Sequence, residues 1–478
     1  MTTRVQTLIV GAGQAGLAIS RSLTRLGHDH LVVDRGRVGE RWRSERWDSF
    51  TLLTPNWQTR LPGFQYAGGD PAGFMTRDQV VGFLSSYARS FDAPVHAGVT
   101  VTGVDPAPLG WLVHTDVDRY HATNVVIATG HYDRPLIPPQ AADLPRSVHQ
   151  VHTTDYRNPE RLPSGGAVLV VGAGPSGQQI ADELACAGRK VFIAVGRHRP
   201  LPRRYRGHDV YWWMDRMGML DRTVDTLPEP GASRNAPSAV LAGQERDLNL
   251  HRLVEHGVVP TGRLRATDRG RVHFDDDLPV RLAEADHNVR RLQDAVDTYV
   301  ERYGVDAPVE QVSPPASATW AHQAPRTLDL ARAGVTTVIW ATGYNRDYSW
   351  INAPVFDAEG EPVQSRGVTA APGLFFLGLR WLYRRKSNFI GGVGDDAEHL
   401  AEVIASGDQA VGEAVAQGYE PVTSRRSAAI RTASRRVDAP SLVRMADTWW
   451  STVRVDTTSR SAISALVRPS VSSASTSS

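Results

Sequence analysis

The stretch "VLVVGAGPSGQQIADEL" (Val168–Leu184) determines the fold, because it repeats a pattern that the chain has already used near its amino terminus. There, "TLIVGAGQAGLAISRSL" (Thr7–Leu23) has the same order of a short apolar strand, a glycine-rich turn and the start of a helix. This arrangement places the pyrophosphate of a dinucleotide at the amino-terminal end of the helix. Two copies about one domain length apart predict two dinucleotide-binding domains.

The first glycine turn has a residue for each requirement of a dinucleotide site. Gly11 permits the tight turn, Gly13 lets the backbone approach the pyrophosphate, and Gly16 allows the helix to pack closely on the strand. The second strand then ends at Asp34, whose carboxylate can accept hydrogen bonds from ribose hydroxyls and repels a 2′-phosphate. The first site is therefore predicted to hold a dinucleotide with an unphosphorylated ribose.

The second glycine turn repeats this spacing at Gly172, Gly174 and Gly177 but differs at the end of its second strand. Arg197 stands where the first site has Asp34, and a planar guanidinium suits a 2′-phosphate. Arginine supplies all but two of the 53 basic residues, so a single arginine is weak evidence by itself. Together, the two strand ends predict FAD at the first site, NADPH at the second, and hydride transfer between them.

Composition places the chain among globular proteins and excludes several other classes. Hydrophobic residues make up 41% of its 478 residues, the net charge is +2, and no apolar run reaches the roughly 18 residues of a membrane span. Gly11 and Gly13 break the amino-terminal apolar run, so we expect no signal peptide, a cytoplasmic location, and neither a membrane nor a nucleic-acid partner. The only cysteine, Cys186, agrees with a reducing compartment and cannot supply the C-x-x-C of a disulfide reductase. We recognise no metal-ligand cluster in the sequence, and homo-oligomerisation stays open.

Alternating strand and helix patterns predict an α/β fold in which the second domain is inserted into the first. We expect the first part of the FAD domain at 1–160, the NADPH domain with a helical substrate-side insertion at 161–335, and the return of the FAD domain at 336–420. Residues 421–478 are expected to form a basic, serine-rich and partly disordered extension, since the end "SVSSASTSS" has low complexity.

Several motifs together resemble those of the flavin-containing monooxygenases (class B flavoprotein monooxygenases), in particular a bacterial flavoprotein branch. They are "GAGQAG", "GERWR" with "WDSFTLLTPN", two "ATG" turns, "GAGPSG", and "FFLGL" with "GVGDDAEHLA". The resemblance covers about residues 5–415 and implies two Rossmann-like domains, the outer one holding FAD and the inserted one NADPH. In that family, Gly39 and Trp42 lie along the flavin, the strand around Val101 meets adenine, and the Gly378 region closes over the flavin.

The motifs and the resemblance assign cofactor binding to one set of residues and chemistry beside the flavin to another position. The cofactor-binding set comprises Gly11, Gly13, Gln14, Ala15, Gly16, Asp34, Arg35, Gly39, Arg41, Trp42, Val101, Ala128, Thr129, Gly130, Gly172, Gly174, Ser176, Gly177, Gln178, Arg197, Ala341, Thr342, Gly343 and Gly378. Asn56 is the candidate catalytic residue, and a different register would put Thr54 in its place. A plain turn residue is the alternative interpretation of either.

The segment before the second domain departs in part from the family's fingerprint, F-x-G-x-x-x-H-x-x-x-(Y/F). In "RSVHQVHTTDY", His152 and Tyr156 match, whereas Arg146 and Val148 replace the phenylalanine and glycine. We interpret His152 as a structural residue of the linker. The resemblance implies an NADPH-dependent monooxygenase that passes one oxygen atom of O₂, through a flavin C4a-hydroperoxide, to a nucleophilic nitrogen or sulfur of a small-molecule substrate. The departures keep two alternatives open: an NADPH oxidase that releases H₂O₂, and a redox-sensing regulatory flavoprotein.

Overall fold

The computed structural model describes residues 2–227, 241–244, 247–311 and 318–407. The predicted extension at 421–478 therefore lies outside the described residues. The first part of the chain contains β1 (Thr2–Val10), α1 (Gln14–Arg25), β2 (His30–Asp34), α2 (Glu40–Ser44), β3 (Arg60–Leu61), β4 (Phe64–Gln65), α3 (Arg77–Arg89), β5 (Val95–Ala97), β6 (Val101–Ala107), β7 (Gly110–Thr115) and β8 (Arg119–Ile127).

The remaining elements follow in two groups. The middle of the chain contains β9 (Arg134–Pro135), β10 (His149–His152), β11 (Ala167–Val171), α4 (Pro175–Cys186), β12 (Val191–Ala194), β13 (Arg204–Tyr205), β14 (His208–Asp209), α5 (Val210–Arg216), α6 (Leu250–Glu255), β15 (Val259–Thr261), β16 (Leu264–Asp268), β17 (Arg271–Phe274) and α7 (Leu278–Tyr303). The last part contains α8 (Thr319–His322), β18 (Thr327–Asp329), α9 (Leu330–Ala333), β19 (Val335–Trp340), β20 (Tyr344–Asn345), β21 (Gln364–Ser365), β22 (Val368–Thr369), β23 (Leu374–Phe376) and α10 (Val393–Ser406).

The first sheet carries the first glycine turn and is completed by strands from the last part of the described chain. Its order is β21-β22-β23-β8-β1-β2-β5, and the hairpin of β6 and β7 joins it antiparallel at β8. The run from β23 to β5 is parallel, so the carboxyl ends of these strands share one edge. Helix α10 packs against α1. The carboxy-terminal segment therefore closes the domain that the amino terminus begins.

The second sheet lies within the inserted part of the chain and is parallel throughout. Its order is β10-β19-β11-β12-β15. Every residue of β11 and β12 is buried, as expected for central parallel strands that are covered on both faces. The predicted α/β fold with one domain inserted into the other is confirmed. None of the helices in the described part of the chain is long and apolar enough to cross a membrane.

The pairing of strands between the two sheets bears on where the second domain begins and ends, which we expect from the sequence at 161 and 335. β9 and β20 pair antiparallel where the chain leaves the first sheet and returns to it. β10 pairs in parallel with β19, and both strands belong to the second sheet, although the expected limits divide them from its other strands. Strand pairing between distant segments decides this, and sequence periodicity does not report it. We propose that the second domain runs from His149 to Trp340.

Candidate functional site

The first and third glycines of each turn are required by close backbone packing. A Cβ on Gly11 would lie 2.6 Å from the carbonyl oxygen of Ala128, and a Cβ on Gly172 would overlap the carbonyl oxygen of Ala341. Side chains on Gly16 and Gly177 would each overlap the carbonyl oxygen of the first glycine of their own turn. These positions therefore hold the turn against the neighbouring strand and let the helix begin at once.

The middle glycines face open space instead. A Cβ on Gly13 or on Gly174 would have no atom of the described residues within 4 Å, apart from its own turn and helix. Each is the amino-terminal cap of its helix, and neither helix has a side-chain cap. The first backbone N–H groups of α1 and α4 therefore have no side-chain partner, and free N–H groups beside a glycine turn are the arrangement that binds a pyrophosphate.

Asp34 joins the end of β2 to the first glycine turn. Its carboxylate accepts hydrogen bonds from the backbone N–H of Ala12 at 2.7 Å and of Gly36 at 2.8 Å. Its carbonyl oxygen accepts from Val99 at 2.8 Å, which brings the segment before Val101 alongside. Two carboxylate oxygens offer about four acceptor sites, so Asp34 keeps capacity for ribose hydroxyls after fixing the turn.

The segment that follows β12, which ends at Ala194, carries three basic residues in different environments. Arg197 is exposed, and the described part of the chain gives it neither a hydrogen bond nor an ion pair. Burial lowers the pKa of His198 to about 4, against a hydrogen bond to the Ala173 backbone that raises it. Burial also lowers the pKa of Arg199, whose Nη1 is buried without a hydrogen-bond partner among the described residues. The guanidinium N–H groups of Arg197 and Arg199 are therefore available to bind an anion next to the second turn, while the imidazole of His198 is neutral.

Arg203, which lies just beyond these residues, has a structural role. Its side chain is 1% exposed and forms an ion pair with Asp209. Nη1 donates to the carbonyl oxygen of Leu53 at 2.8 Å, and the guanidinium lies 4.5 Å from the Phe74 ring centroid. Arg203 therefore joins the second domain to the loop that contains Thr54 and is not available to a 2′-phosphate.

The "GERW" segment contacts the first glycine turn, while Arg41 within it and Arg35 before it are paired with acids. The N–H of Gly39, which has φ 69°, donates to the carbonyl oxygen of Ala12 at 3.1 Å. Trp42 Nε1 is 3.5 Å from Gln14 Oε1. Arg41 Nη2 lies 2.7 Å from Asp133 Oδ1, and Arg35 Nη2 lies 3.0 Å from Glu45 Oε1. Arg35 and Arg41 thus anchor the segment, which limits any direct contact with a cofactor.

The two "ATG" turns occupy equivalent places in the two sheets. The N–H of Ala128 donates to Val10 and that of Ala341 donates to Val171, each at 2.9 Å. Thr129 and Gly130 follow the first turn, and Thr342 donates to the carbonyl oxygen of Leu136 after the second. The carbonyl oxygen of Gly343 accepts from His152 Nε2 at 3.0 Å. Each turn therefore borders its own glycine turn, and the second also borders the linker.

Other predicted residues support the turns from their own domains. A Cβ on Gly378 would lie 2.7 Å from Ala15 Cβ, so only glycine lets this segment cross the start of α1. Gln178 is buried, and its Nε2 donates to the carbonyl oxygen of Ala173 at 3.0 Å. Gln178 therefore stiffens the second turn from within, whereas Ser176 is partly exposed in the first turn of α4.

The two candidate catalytic residues, Thr54 and Asn56, have different surroundings in the structure. Thr54 lines a cavity with Trp57, Gln58, Lys386 and Phe389. Asn56 is 4% exposed and donates through Nδ2 to the carbonyl oxygen of Asp70 at 2.9 Å. Its Oδ1 is buried with no partner among the described residues. Thr54 therefore lies at the cavity, whereas Asn56 is buried beside it in the loop with one acceptor atom, Oδ1, still available.

Sequence reasoning missed Lys386 and the contribution of α5 to this cavity. Lys386 is 9% exposed, and its Nζ lies 2.7 Å from Asp221 Oδ1. Asp215 and Leu220 bring the second domain to the same cavity wall. The one available signal was that Lys386 is one of only two lysines in an arginine-rich chain.

The volume next to the first "ATG" turn has a strongly positive environment. Burial, followed by the charges of four arginines, lowers the pKa of His131 to about 3; the arginines are Arg346, Arg380, Arg46 and Arg41. Burial also lowers the pKa of Arg385 to about 9, with neighbouring Arg380 and Arg222 adding to the shift. A neutral imidazole among guanidinium groups favours anionic ligands in this region.

The linker segment is held by buried hydrogen bonds. His152 Nδ1 contacts the Thr154 hydroxyl at 2.9 Å while Nε2 contacts Gly343, and burial lowers the pKa of the imidazole. Tyr156 is 1% exposed and its hydroxyl donates to Glu183 Oε2 at 2.6 Å. Because Glu183 lies on α4, the linker is fixed to the helix that begins at the second glycine turn. This geometry supports the structural interpretation of His152.

Comparisons with known proteins agree with this arrangement. The family model described as pyridine nucleotide-disulphide oxidoreductase matches residues 8–208. An uncharacterized CzcO-like oxidoreductase of Geobacillus kaustophilus (strain HTA426) is 35% identical over 403 residues, which cover 84% of this chain and 98% of that protein.

Two solved structures of different activities share the fold. A flavin-containing monooxygenase from Stenotrophomonas maltophilia matches with a TM-score of 0.57 and 16% identity, covering 84% of this chain and 99% of its own. A bacillithiol disulfide reductase from Staphylococcus aureus matches with a TM-score of 0.54 and 16% identity, covering 85% of this chain and 100% of its own. At this identity the likeness concerns the fold alone, so the choice of chemistry depends on the residues of the site.

Proposed function

The chain belongs to the CzcO-like oxidoreductases of the flavin-dependent monooxygenase and oxidoreductase family, and from that premise we propose that it is an FAD-dependent monooxygenase that uses NADPH. Its substrate would be a small molecule that accepts one oxygen atom of O₂ at a nucleophilic nitrogen or sulfur. The family itself implies a flavin and a nicotinamide nucleotide. The forms FAD and NADPH, and the transfer of oxygen, are the parts that we propose.

One observation carries the proposal: both glycine turns keep an open cradle, and the strand ends beside them differ in charge. Gly13 and Gly174 leave volume that a Cβ would enter. Asp34 stands beside the first cradle and suits a bare ribose, whereas exposed Arg197 stands beside the second and suits a 2′-phosphate. FAD and NADPH are the common pair of dinucleotides with these two riboses.

The residues of the chain would bind and orient the cofactors. The N–H groups at the start of α1 and α4 would hold the two pyrophosphates, with Asp34 on one ribose and Arg197 on the other. When bound, FAD would accept a hydride from NADPH and, once reduced, react with O₂. Thr54 and Asn56, whose Oδ1 has no hydrogen-bond partner among the described residues, would lie beside the flavin ring. Arg203 would keep the second domain against the loop that contains them. Exclusion of water from this volume is the main task that the protein performs in such chemistry.

A disulfide reductase shares the fold but is not supported by the residues. That reaction needs a pair of redox-active cysteines, and Cys186 is the only cysteine in the chain. Cys186 is exposed at the last position of α4, at the opposite end of the helix from Gly174.

An NADPH oxidase that releases H₂O₂ is the second candidate function, because Arg146 and Val148 depart from the monooxygenase fingerprint. The burial of the linker favours the monooxygenase. Val148 is 8% exposed and packs in the core of the second domain, while Arg146 points to solvent. Neither substitution loosens the contacts of His152 and Tyr156.

Labelled oxygen distinguishes the two candidates. The purified protein, with NADPH and a panel of amines and thioethers, is exposed to ¹⁸O₂ while NADPH loss, H₂O₂ and product mass are recorded. We expect one ¹⁸O atom in an amine or thioether product for each NADPH consumed. Stoichiometric H₂O₂ with no labelled product across the panel would contradict oxygen transfer and favour the oxidase.

A further inference from the structure

Three side chains that commonly bind metals meet on the second domain, outside the glycine turns and the cavity. Asp182 and Cys186 are four residues apart near the end of α4, so they share one face of that helix. His256 follows the last residue of α6, which contacts α4. One ligand atom from each of the three residues lies within 4.8 Å of the other two.

The ligand atoms of this cluster are near enough to one another to reach a single ion. His256 Nδ1 lies 2.5 Å from Asp182 Oδ1, with both side chains a little over one-quarter exposed. Ligand atoms around a tetrahedral zinc ion are roughly 3.3–3.8 Å apart, given metal–ligand bonds of about 2.0–2.3 Å. Small rotations of the side chains would therefore admit an ion in place of the direct contact between the imidazole and the carboxylate.

We propose that Asp182, Cys186 and His256 bind one zinc-like divalent cation, with water in the remaining position. A thiolate, an imidazole and a carboxylate suit zinc, cobalt or cadmium, whereas magnesium and calcium prefer oxygen ligands alone. On binding, the Cys186 thiol loses its proton to solvent and forms the sulfur–metal bond, with no change of oxidation state. The imidazole binds as the neutral base.

The position of the site separates it from the dinucleotide chemistry. Asp182 and Cys186 lie roughly 12 and 18 Å along the axis of α4 from its amino-terminal cap, Gly174, at a rise of about 1.5 Å per residue. The ion would tie the carboxyl half of α4 to the end of α6. It therefore stabilises the second domain and does not enter the proposed oxygen transfer.

The only cysteine in the chain makes the test specific, because a thiol reagent reports on this site alone. The full-length flavoprotein, in a buffer without chelator or thiol, is treated with a chromogenic disulfide reagent in the presence of zinc or magnesium. We expect one equivalent of zinc to slow the modification of Cys186 at least tenfold and magnesium to leave the rate unchanged. Equilibrium dialysis with elemental analysis should count one zinc ion per chain.

Variants separate this site from adventitious zinc binding. His256→Ala and His256→Gln should both lose the protection and the bound zinc while retaining flavin, which reports that the fold is intact. His96→Ala, at an exposed histidine on the first sheet, is the matched control and should behave like the unmodified protein. Protection that survives in both His256 variants, or zinc that fails to slow the reaction in the unmodified protein, would overturn the proposal.

Discussion

The two glycine turns have the same backbone but different residues at the following strand end. In both, the first glycine packs on an alanine carbonyl and the middle glycine faces open space. Asp34 accepts hydrogen bonds from Ala12 and Gly36 and so closes the first turn. Arg197 instead stands exposed beside the second. Under the proposed function, the shared backbone geometry would position a pyrophosphate in both turns, while the differing side chain, Asp34 or Arg197, would select the ribose.

The turns also differ in what holds them. The alanine of the first turn, Ala12, is fixed by backbone and carboxylate partners, Gly39 and Asp34. The alanine of the second, Ala173, is held by two buried side chains, Gln178 and His198. Burial lowers the pKa of one of these side chains, the His198 imidazole. The stability of the second turn should therefore depend on pH.

The largest effects should come from the middle glycines, which test whether the two cradles are separate sites. Gly13→Val should abolish FAD binding, and Gly174→Val should leave FAD in place while removing reduction by NADPH, because each side chain fills its own cradle. Flavin absorbance after purification and anaerobic reduction by NADPH measure the two outcomes. Gly69→Val is the matched control, since a Cβ there also meets nothing within 4 Å but lies in an exposed loop. Full FAD occupancy in Gly13→Val would mean that the first site lies elsewhere.

Local sequence patterns were sufficient to predict both turns, because each depends on residues that are close in the chain. The strand, the glycines and the helix of each turn lie within a short segment. Asp34 is the last residue of the next strand, and Arg197 follows the end of β12 by three residues. The pairing of β10 with β19 joins segments almost 190 residues apart (337 − 149 = 188), so periodicity could not assign β10 to the second sheet.

Sequence patterns could not bring together the residues of the cavity or those of the proposed metal site, for the same reason. Thr54 and Lys386 come from distant loops of one domain, and Asp215 comes from the other domain. Asp182 and Cys186 are a weak pair by themselves, and His256 reaches them only because α6 packs on α4. Position in the sequence can also suggest a contact that the structure does not allow. Arg203 lies near the predicted phosphate site in the chain, but its side chain is buried against Asp209 and Leu53.

A smaller effect should come from the residue that distinguishes the two riboses. Arg197→Ala should reduce the preference for NADPH over NADH roughly tenfold or more, since a charge-assisted contact to a 2′-phosphate contributes about 1.5–3 kcal/mol. Reduction rates at varied concentrations of each nucleotide measure the ratio. Arg265→Ala, an exposed arginine on β16 in the same domain, should leave the ratio unchanged. If the ratio is unchanged in Arg197→Ala, Arg197 does not bind the 2′-phosphate. Arg199, whose Nη1 has no partner among the described residues, would then be the next candidate.

The smallest effect that we predict is the pH dependence introduced by His198. Burial lowers the pKa of His198 to about 4 in the folded protein, from 6.5 for an ordinary imidazole. Between these values the unfolded chain takes up a proton and the folded protein does not. The stabilisation is therefore fully present above pH 6.5 and is lost progressively as the pH falls toward 4. Between pH 7 and pH 5 the loss should be about 2 kcal/mol in the free energy of unfolding.

The variant His198→Gln isolates this contribution, because glutamine keeps an N–H donor for Ala173 but has no proton to gain. Urea unfolding followed by tryptophan fluorescence should show the unmodified protein losing about 2 kcal/mol more than the variant between pH 7 and pH 5. His131 and His152, which burial also shifts downward, are present in both proteins and cancel in the difference. His96→Gln, at an exposed position, should lose as much as the unmodified protein. Equal losses in all three proteins would show that His198 does not couple the second turn to pH, and the two turns would then differ only in the ribose that they select.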